Sequence, residues 1–433
     1  MPAPAGTGLD RRTFLARSIG AALSVYGATR LPLALFEPGI AAAAAGPAER
    51  IFVSVFLPGG ADPLSVLYPA GDPLYPKFRP QLGLAAADGT QLTDDPRLYW
   101  HPKLEPLATL HAEGKVTVIP AMGYTHPDQS HFTSRHYWEV GATNPSLQTG
   151  WLGRYLDRIG VDDNPLQGLS LDGVLQPALA SARVPVATIE GPDQYTFWGP
   201  GVWGSVEQRM LETFARFGGQ HDAAAEESAQ IAAQSGRLRQ QLLPFVAKDG
   251  KDGSAPAITS PVAYPKDESG FPQKLAGLAA MLARGLPLRC VAISAPGEYD
   301  THSDQAASLS SALGVAAQSL LAFQRDLESR GLSDRVLVHV WSEFGRRGQE
   351  NASGGTDHGA AGVGFLIGTK VGGTMIGEYP GLAHGLDADG NLKATSDFRG
   401  LYAAILEQWL GADPGDVIPG AHGFRRPKVV KSA

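Results

Sequence analysis

Ile51-Phe52-Val53-Ser54-Val55-Phe56-Leu57 is a run of β-branched, aromatic and aliphatic residues that breaks at Pro58 into Gly59-Gly60-Ala61-Asp62. The layout is that of a buried strand followed at once by a polar loop, and it recurs three times. Residues 116–120 lead into His126-Pro127-Asp128-Gln129-Ser130-His131, and 288–294 into Tyr299-Asp300-Thr301-His302. Residues 335–341 lead into Ser342-Glu343-Phe344-Gly345-Arg346, with Thr356-Asp357-His358-Gly359 shortly after. In an open α/β sheet, ligands bind beyond the carboxyl ends of parallel strands. Four such loops should therefore meet at one place, and their carboxylates and histidines point to metal-assisted chemistry there.

Between the strands, apolar residues fall at helical spacing over 102–113, 131–140, 151–159, 272–285, 305–330 and 396–410, while 184–190 and 363–368 read as further strands. The alternation predicts an α/β fold, a mostly parallel sheet with helices on both faces. Residues 205–217 and 221–243, rich in Ala and Gln, predict a helical insertion beside the sheet. Residues 248–266, rich in Gly, Pro, Ser, Lys and Asp, predict a mobile loop. The expected organisation is a leader over 1–45, one α/β domain over 50–412 with the helical insertion and loop at about 200–270, and a C-terminal tail over 413–433.

With 433 residues, 43% of them hydrophobic, the chain is long enough to bury a large core. A formal charge of −7 and a pI near 5.9 argue against a sequence-independent grip on nucleic acid, which needs clustered Lys and Arg. A small anionic ester held by a metal remains compatible with that charge. The single cysteine, Cys290, lies in an apolar run and is expected to be a buried core thiol.

Asp10-Arg11-Arg12-Thr13-Phe14-Leu15 is a twin-arginine motif, followed by a weakly apolar stretch over 19–36 and the small-residue run 41–45. Arg30 and Pro32 make the stretch a poor spanning helix. The expectation is export in the folded state through the twin-arginine translocase, to the periplasm, cell surface or medium, with no transmembrane anchor in the mature form.

In the loops, Asp62 follows two glycines that let the chain turn tightly, and it is either a metal ligand or a turn aspartate. Asp300 and His302 offer an oxygen and a nitrogen two positions apart, and Asp357 and His358 a second such group. Glu343 ends the most apolar strand, so these residues give a set of potential ligands for a divalent metal: zinc, calcium or magnesium. Ser130 stands at a predicted helix start, where unpaired N–H groups and the helix dipole favour negative charge. It is a candidate nucleophile beside a metal, or a plain N-cap. Arg135, one turn beyond His131, is a candidate anion clamp, whereas His131 and His136 are expected to be packed or surface histidines. There is no Gly-x-Ser-x-Gly elbow, His-Glu-x-x-His helix, Walker loop or strand-linked Gly-x-Gly-x-x-Gly.

The leader, Leu57-Pro58-Gly59-Gly60-Ala61-Asp62, Ser130-His131-Phe132, Tyr299-Asp300-Thr301-His302-Ser303-Asp304-Gln305, Ser342-Glu343-Phe344-Gly345-Arg346 and Gly355-Thr356-Asp357-His358-Gly359 occur in that order. Together they resemble the motif set of a bacterial exported family, domain of unknown function 1501, which is distantly similar to alkaline phosphatases and sulfatases. The resemblance implies an alkaline phosphatase-like fold. It implies an early post-strand aspartate binding one metal, where Asp62 stands, and a nucleophile at a helix start, where Ser130 stands. It also implies a later Asp group and a final His binding the other metal, where Asp300, His302 and His358 stand. The superfamily's Asp-His pair after a strand corresponds to Glu343-Phe344, and Phe344 cannot ligate. The spacing of Asp300 and His302 is also shorter than the superfamily's. The function implied is metal-dependent hydrolysis of a small or carbohydrate-linked phosphate or sulfate ester. The alternative is an exported binding or assembly protein that retains the fold without turnover.

Overall fold

The computed structural model describes residues 25–26, 50–195, 205–216, 226–246 and 258–431. The twin-arginine motif, the 41–45 run and residues 248–257 of the expected loop lie outside them. The strands are β1 (Val25–Tyr26), β2 (Ile51–Phe56), β3 (Leu67–Tyr68), β4 (Thr90–Gln91), β5 (Tyr99–Trp100), β6 (Val116–Gly123), β7 (Gly168–Ser170), β8 (Val186–Thr188), β9 (Cys290–Ser294), β10 (Val336–Trp341), β11 (Gly362–Ile367) and β12 (Ser396–Asp397). The main sheet has the order β1-β8-β7-β9-β2-β10-β11-β6-β12, and β3, β5 and β4 form a small separate sheet. The block from β8 to β10 is parallel throughout, β11 is antiparallel to both β10 and β6, and β12 is parallel to β6. Only β11 and β1 oppose the rest. The carboxyl ends of β2, β6, β9 and β10 therefore share one edge, which is the geometry the four loops need.

A strand's side chains alternate between faces, and in β2 this places Ile51, Val53 and Val55 in one core and Phe52 and Phe56 in another. β10 divides in the same way, Val336, Val338 and Val340 against Leu337 and Trp341. The first core is covered by helices Glu105–Ala112, Phe271–Ala283 and Gln305–Ser329, and the second by His131–Val140, Trp151–Ile159 and Phe398–Ile405. The fold is thus α/β, with a mixed, mostly parallel sheet and helices on both faces. By length and composition Gln305–Ser329 is apolar enough to cross a membrane, yet Leu309, Leu313, Leu320, Phe323 and Leu327 on it are buried in the first core.

Two stretches differ in detail from the sequence reading. Residues 396–410 open as the edge pairing β12, continue as helix Phe398–Ile405 and end in the π-turn Leu406–Leu410. Residues 413–431, read as a tail, bury Val417, Ile418, Ala421 and Val429 in the second core. Ser205–Arg216 and Glu226–Leu242 are helices, and Leu238 and Leu242 on the second, with Phe245 just beyond it, reach the first core.

Candidate metal centre

The loop after β2 turns back through Gly59 and Gly60, both at positive φ (114° and 73°). A Cβ on Gly59 would meet Asp300 N at 2.4 Å, and one on Gly60 would meet the Phe344 ring at 2.3 Å, so only glycine allows these loops to close on one another. The N–H groups of both glycines donate to the buried Glu343 carboxylate at 3.0 to 3.2 Å, and Ser342 Oγ lies 3.0 Å from it, its one proton shared with the Leu57 carbonyl at 2.7 Å. The remaining partner of Glu343 is His131 Nδ1, 2.8 Å from Oε1. Phe344 is buried with its ring against both His131 and His358, centroids 4.8 Å apart in each case, and forms an apolar wall.

Asp300 lies at the centre of the cluster. Its carboxylate is 3.4 Å from His131 Nε2, 3.1 Å from His302 Nε2 and 3.2 Å from His358 Nε2. Each of these imidazoles has its other nitrogen against an acceptor: Glu343 for His131, the Gln129 carbonyl for His358 at 2.8 Å, and Asp357 for His302 at 3.3 Å. Those acceptors have no proton to give, so each neutral ring carries its hydrogen on Nδ1 and turns a bare Nε2 toward Asp300. His302 Nε2 and His358 Nε2 are only 3.0 Å apart. Lone pairs crowded in this way would be relieved by a cation among them.

The donor set fits a divalent ion of the zinc type. Two or more imidazoles with one carboxylate are its usual ligands, outer acceptors on Nδ1 are its usual support, and a tetrahedral zinc site spaces its donors about 3.3 Å apart. His131, Asp300 and His358 have ligand atoms all within 4.8 Å of one another, and Nε2 of His131 is buried with no hydrogen-bond partner. The electrostatics are uneven. The hydrogen bond to Glu343 raises the His131 pKa, whereas burial lowers that of His358. Burial would raise the Asp300 carboxyl, but the hydrogen bond and charge of Arg346 prevail and hold it at about 2.

Of the residues read as ligands, Asp300, His302 and His358 come together here. Asp357 and Glu343 stand one layer out, each on a histidine. Asp62 is elsewhere: it is fully buried, caps Pro63–Val66, and forms a two-pronged pair with Arg79 at 2.6 and 2.9 Å. Ser65 and Gln305 donate to the same carboxylate, and burial notwithstanding, Arg79 holds its pKa below the ordinary value. Its turn-aspartate reading is the one realised, because no lone pair is left for a metal. Arg135 does not face the cluster. Its guanidinium lies over the Phe56 ring and bonds Glu139 and Gln176, since its phase on the helix turns it toward the end of β2 and the loop after β7.

Ser130 is the N-cap of His131–Val140, accepting from Thr133 N at 3.4 Å, and lies between Gln129 and His131, which both bond into the cluster. His136 is a rim residue, 3.3 Å from the Asn144 carbonyl, as expected. His131 departs from the sequence reading, and the signal that could have found it was its place at the first turn beside Ser130. Arg346 was also passed over. Its buried guanidinium donates to the carbonyls of Gly59, Gly60, Tyr299 and Thr356 and to Asp300 at 2.5 Å, tying together the loops after β2, β9 and β10.

A cavity of about 810 Å³ lies elsewhere, lined by Glu190, Asp193, Asp267, Glu268 and Lys274 among others. Four carboxylates against one lysine are a poor complement to an anionic ester, and the histidine cluster is the better site on chemistry.

Solved structures similar to this chain include the C-terminal periplasmic domain of EcEptC from Escherichia coli, in complex with Zn (9% identity, TM-score 0.37, covering 86% of this chain and 87% of that one). A protein in the alkaline phosphatase superfamily from Vibrio parahaemolyticus shares 10% identity at a TM-score of 0.37, over 94% of this chain and 78% of that one. The PsFucS1 sulfatase from Pseudoalteromonas sp. shares 13% at 0.35, over 88% and 74%. Scores this low establish neither activity nor ligand for this chain. No curated protein matches it significantly. The family model described as "Protein of unknown function (DUF1501)" matches residues 119–423, a span that holds His131, Asp300, His302, Glu343 and His358. On that match over well more than half its length, the chain belongs to the DUF1501 family.

Proposed function

We propose that the protein is an exported hydrolase that uses a divalent metal of the zinc type to cleave a phosphate or sulfate ester, with Ser130 as nucleophile. The observation that carries this reading is the convergence of three imidazole Nε2 atoms on Asp300, each ring with an acceptor against its Nδ1. His131, Asp300 and His358 would hold the ion, with His302 beside them. Bound there, a metal of this type supplies Lewis acidity toward the ester and lowers the pKa of a neighbouring hydroxyl. Glu343, Asp357 and the Gln129 carbonyl keep the imidazoles oriented. Ser130 Oγ accepts only a long bond from Thr133 N at the helix start, where first-turn N–H groups and the dipole meet developing negative charge.

A second reading, binding without turnover, is favoured by one observation: Arg135, expected to clamp the anion, is engaged with Glu139 and Gln176. Metal analysis of the mature protein, with turnover of aryl phosphate and aryl sulfate before and after chelation, separates the two. The hydrolase reading expects bound metal, loss of turnover on chelation and the same loss in His358→Ala. Metal without turnover selects the second reading, and a metal-free protein indifferent to chelator overturns the site. Export belongs to the proposal and rests on Asp10-Arg11-Arg12-Thr13-Phe14-Leu15. Arg11→Lys with Arg12→Lys should trap precursor in the cytoplasm, and unchanged export would remove that part.

A further inference from the structure

We infer that this centre takes a single metal ion, with the buried guanidinium of Arg346 serving as the permanent second cation among its ligands. The inference rests on the metal-binding reading above and concerns how many ions the site accepts. It follows from the partners of the four carboxylates read as ligands, Asp62, Glu343, Asp357 and Asp300. Both oxygens of Asp62 are taken by Arg79, with Ser65 and Gln305 completing the shell, and neither partner of that ion pair is exposed. Both oxygens of Glu343 are taken by Gly59 N, Gly60 N, Ser342 Oγ and His131 Nδ1. Asp357 Oδ1 accepts from Asn351 Nδ2 and faces His302 Nδ1. Asp300 alone faces bare nitrogens, and one of its oxygens already accepts from Arg346.

Arg346 also stands where a second ion would have to lie. Its Nη1 is 3.4 Å from His302 Nε2, its Nη2 is bonded to Asp300 Oδ1, and its other donors are spent on the carbonyls of Gly59, Gly60, Tyr299 and Thr356. A guanidinium cannot give up its charge in a protein. A second dication would therefore meet a fixed like charge, with only the half-exposed Oδ2 of Asp357 left beside His302 to offset it. The expectation from family resemblance that Asp62 ligates one ion of a pair is incompatible with this accounting. Asp62 instead accepts from the Gln305 amide, a bond that an asparagine carbonyl at that position can still accept, and the Gln305 carbonyl oxygen accepts from Thr301 and Thr356.

The test is zinc stoichiometry by elemental analysis and calorimetric titration of the whole mature chain. One tight equivalent is expected. Two tight equivalents would overturn this inference and leave the hydrolase reading standing, whereas none would remove both. Asp62→Asn should bind zinc with unchanged stoichiometry and within about twofold of the wild-type affinity, despite a lower melting temperature. Because that variant strands Arg79 and could fail to fold, Asp62→Asn combined with Arg79→Gln is the paired control. Loss of metal from either folded variant would overturn the inference.

Discussion

Asp62 and Asp300 follow neighbouring parallel strands, at the same edge of one sheet, and each is paired with a buried arginine. Their fates differ. Asp62 and Arg79 are both fully buried and the carboxylate is saturated, whereas Arg346 is equally buried but Asp300 remains 34% exposed and is approached by three imidazoles. The pairings explain the contrast. Arg79 presents two nitrogens to two oxygens, while Arg346 spends its donors on four backbone carbonyls and contributes Nη2 alone to Asp300. A carboxylate after a strand becomes a ligand by what is left unbonded, and position alone does not decide it.

The largest effect that tests this contrast is on the sealed side. Arg79→Met leaves a buried carboxylate unpaired, a change that costs about 3–5 kcal/mol. Metal affinity of whatever folds should be little altered. Urea denaturation with zinc titration checks both, and loss of metal without loss of stability would reverse the roles assigned to the two aspartates.

A third buried carboxylate sharpens the comparison, because there burial wins. Glu139 meets Arg135 through one nitrogen, at 2.9 Å. Burial, opposed by Arg135 and aided by the charge of Glu343, pushes its pKa up to about 7 from an ordinary 4.5. A carboxyl whose folded pKa is raised gives stability that is present below its unfolded value and lost as pH rises through the folded one. Wild type should therefore lose up to about 3 kcal/mol between pH 4.5 and 7.5 through this group. Glu139→Gln should flatten that part of the profile, and an unchanged slope would assign the pH dependence to other groups.

Much of this arrangement was legible in the sequence because it depends on strand period and loop composition. β2, β6, β9 and β10, their shared edge and the helices on both faces follow from apolar runs that alternate with amphipathic stretches. Asp300, His302 and His358 were found because they follow such runs closely. β7 escaped because three residues, Gly168–Ser170, are too few to show a period. Asp62 misled because its partner Arg79 lies in a Pro- and Gly-rich excursion with no pattern linking the two. His131 and Arg346 were visible as residues of quoted motifs, yet their roles depend on rotational phase and on which carbonyls a folded loop leaves facing inward. Neither property is written in spacing.

The open aspartate is predicted to depend on a second layer behind its histidines. Asn391 is buried, and its Oδ1 accepts from Gln129 Nε2 at 3.2 Å while Asp387 holds its Nδ2 at 3.0 Å. Gln129 in turn presents its carbonyl to His358. Asn391→Ala should weaken zinc binding by about tenfold, the lower end of what outer-layer losses cost. Nitrogen NMR of the imidazoles, in the metal-free protein, should show His358 losing its preference for the Nδ1–H form. A fixed tautomer with unchanged affinity would detach this layer from the site.

The smallest expected change in stability belongs to Ser130, and it decides whether the open aspartate has chemistry beside it. As an N-cap, Ser130 accepts one long bond, 3.4 Å from Thr133 N, so Ser130→Ala should cost about 1 kcal/mol or less whichever role it plays. Zinc content should be unaffected, since His131 is held by Glu343 and His358 by a backbone carbonyl that the substitution leaves in place. Turnover is what separates the roles. If the hydroxyl attacks the ester, removing it should abolish hydrolysis of aryl phosphate and aryl sulfate, with metal and fold retained. Activity near wild type in a slightly less stable Ser130→Ala protein would make the serine a cap alone, and the attacking group would then have to be a water placed by the same cluster.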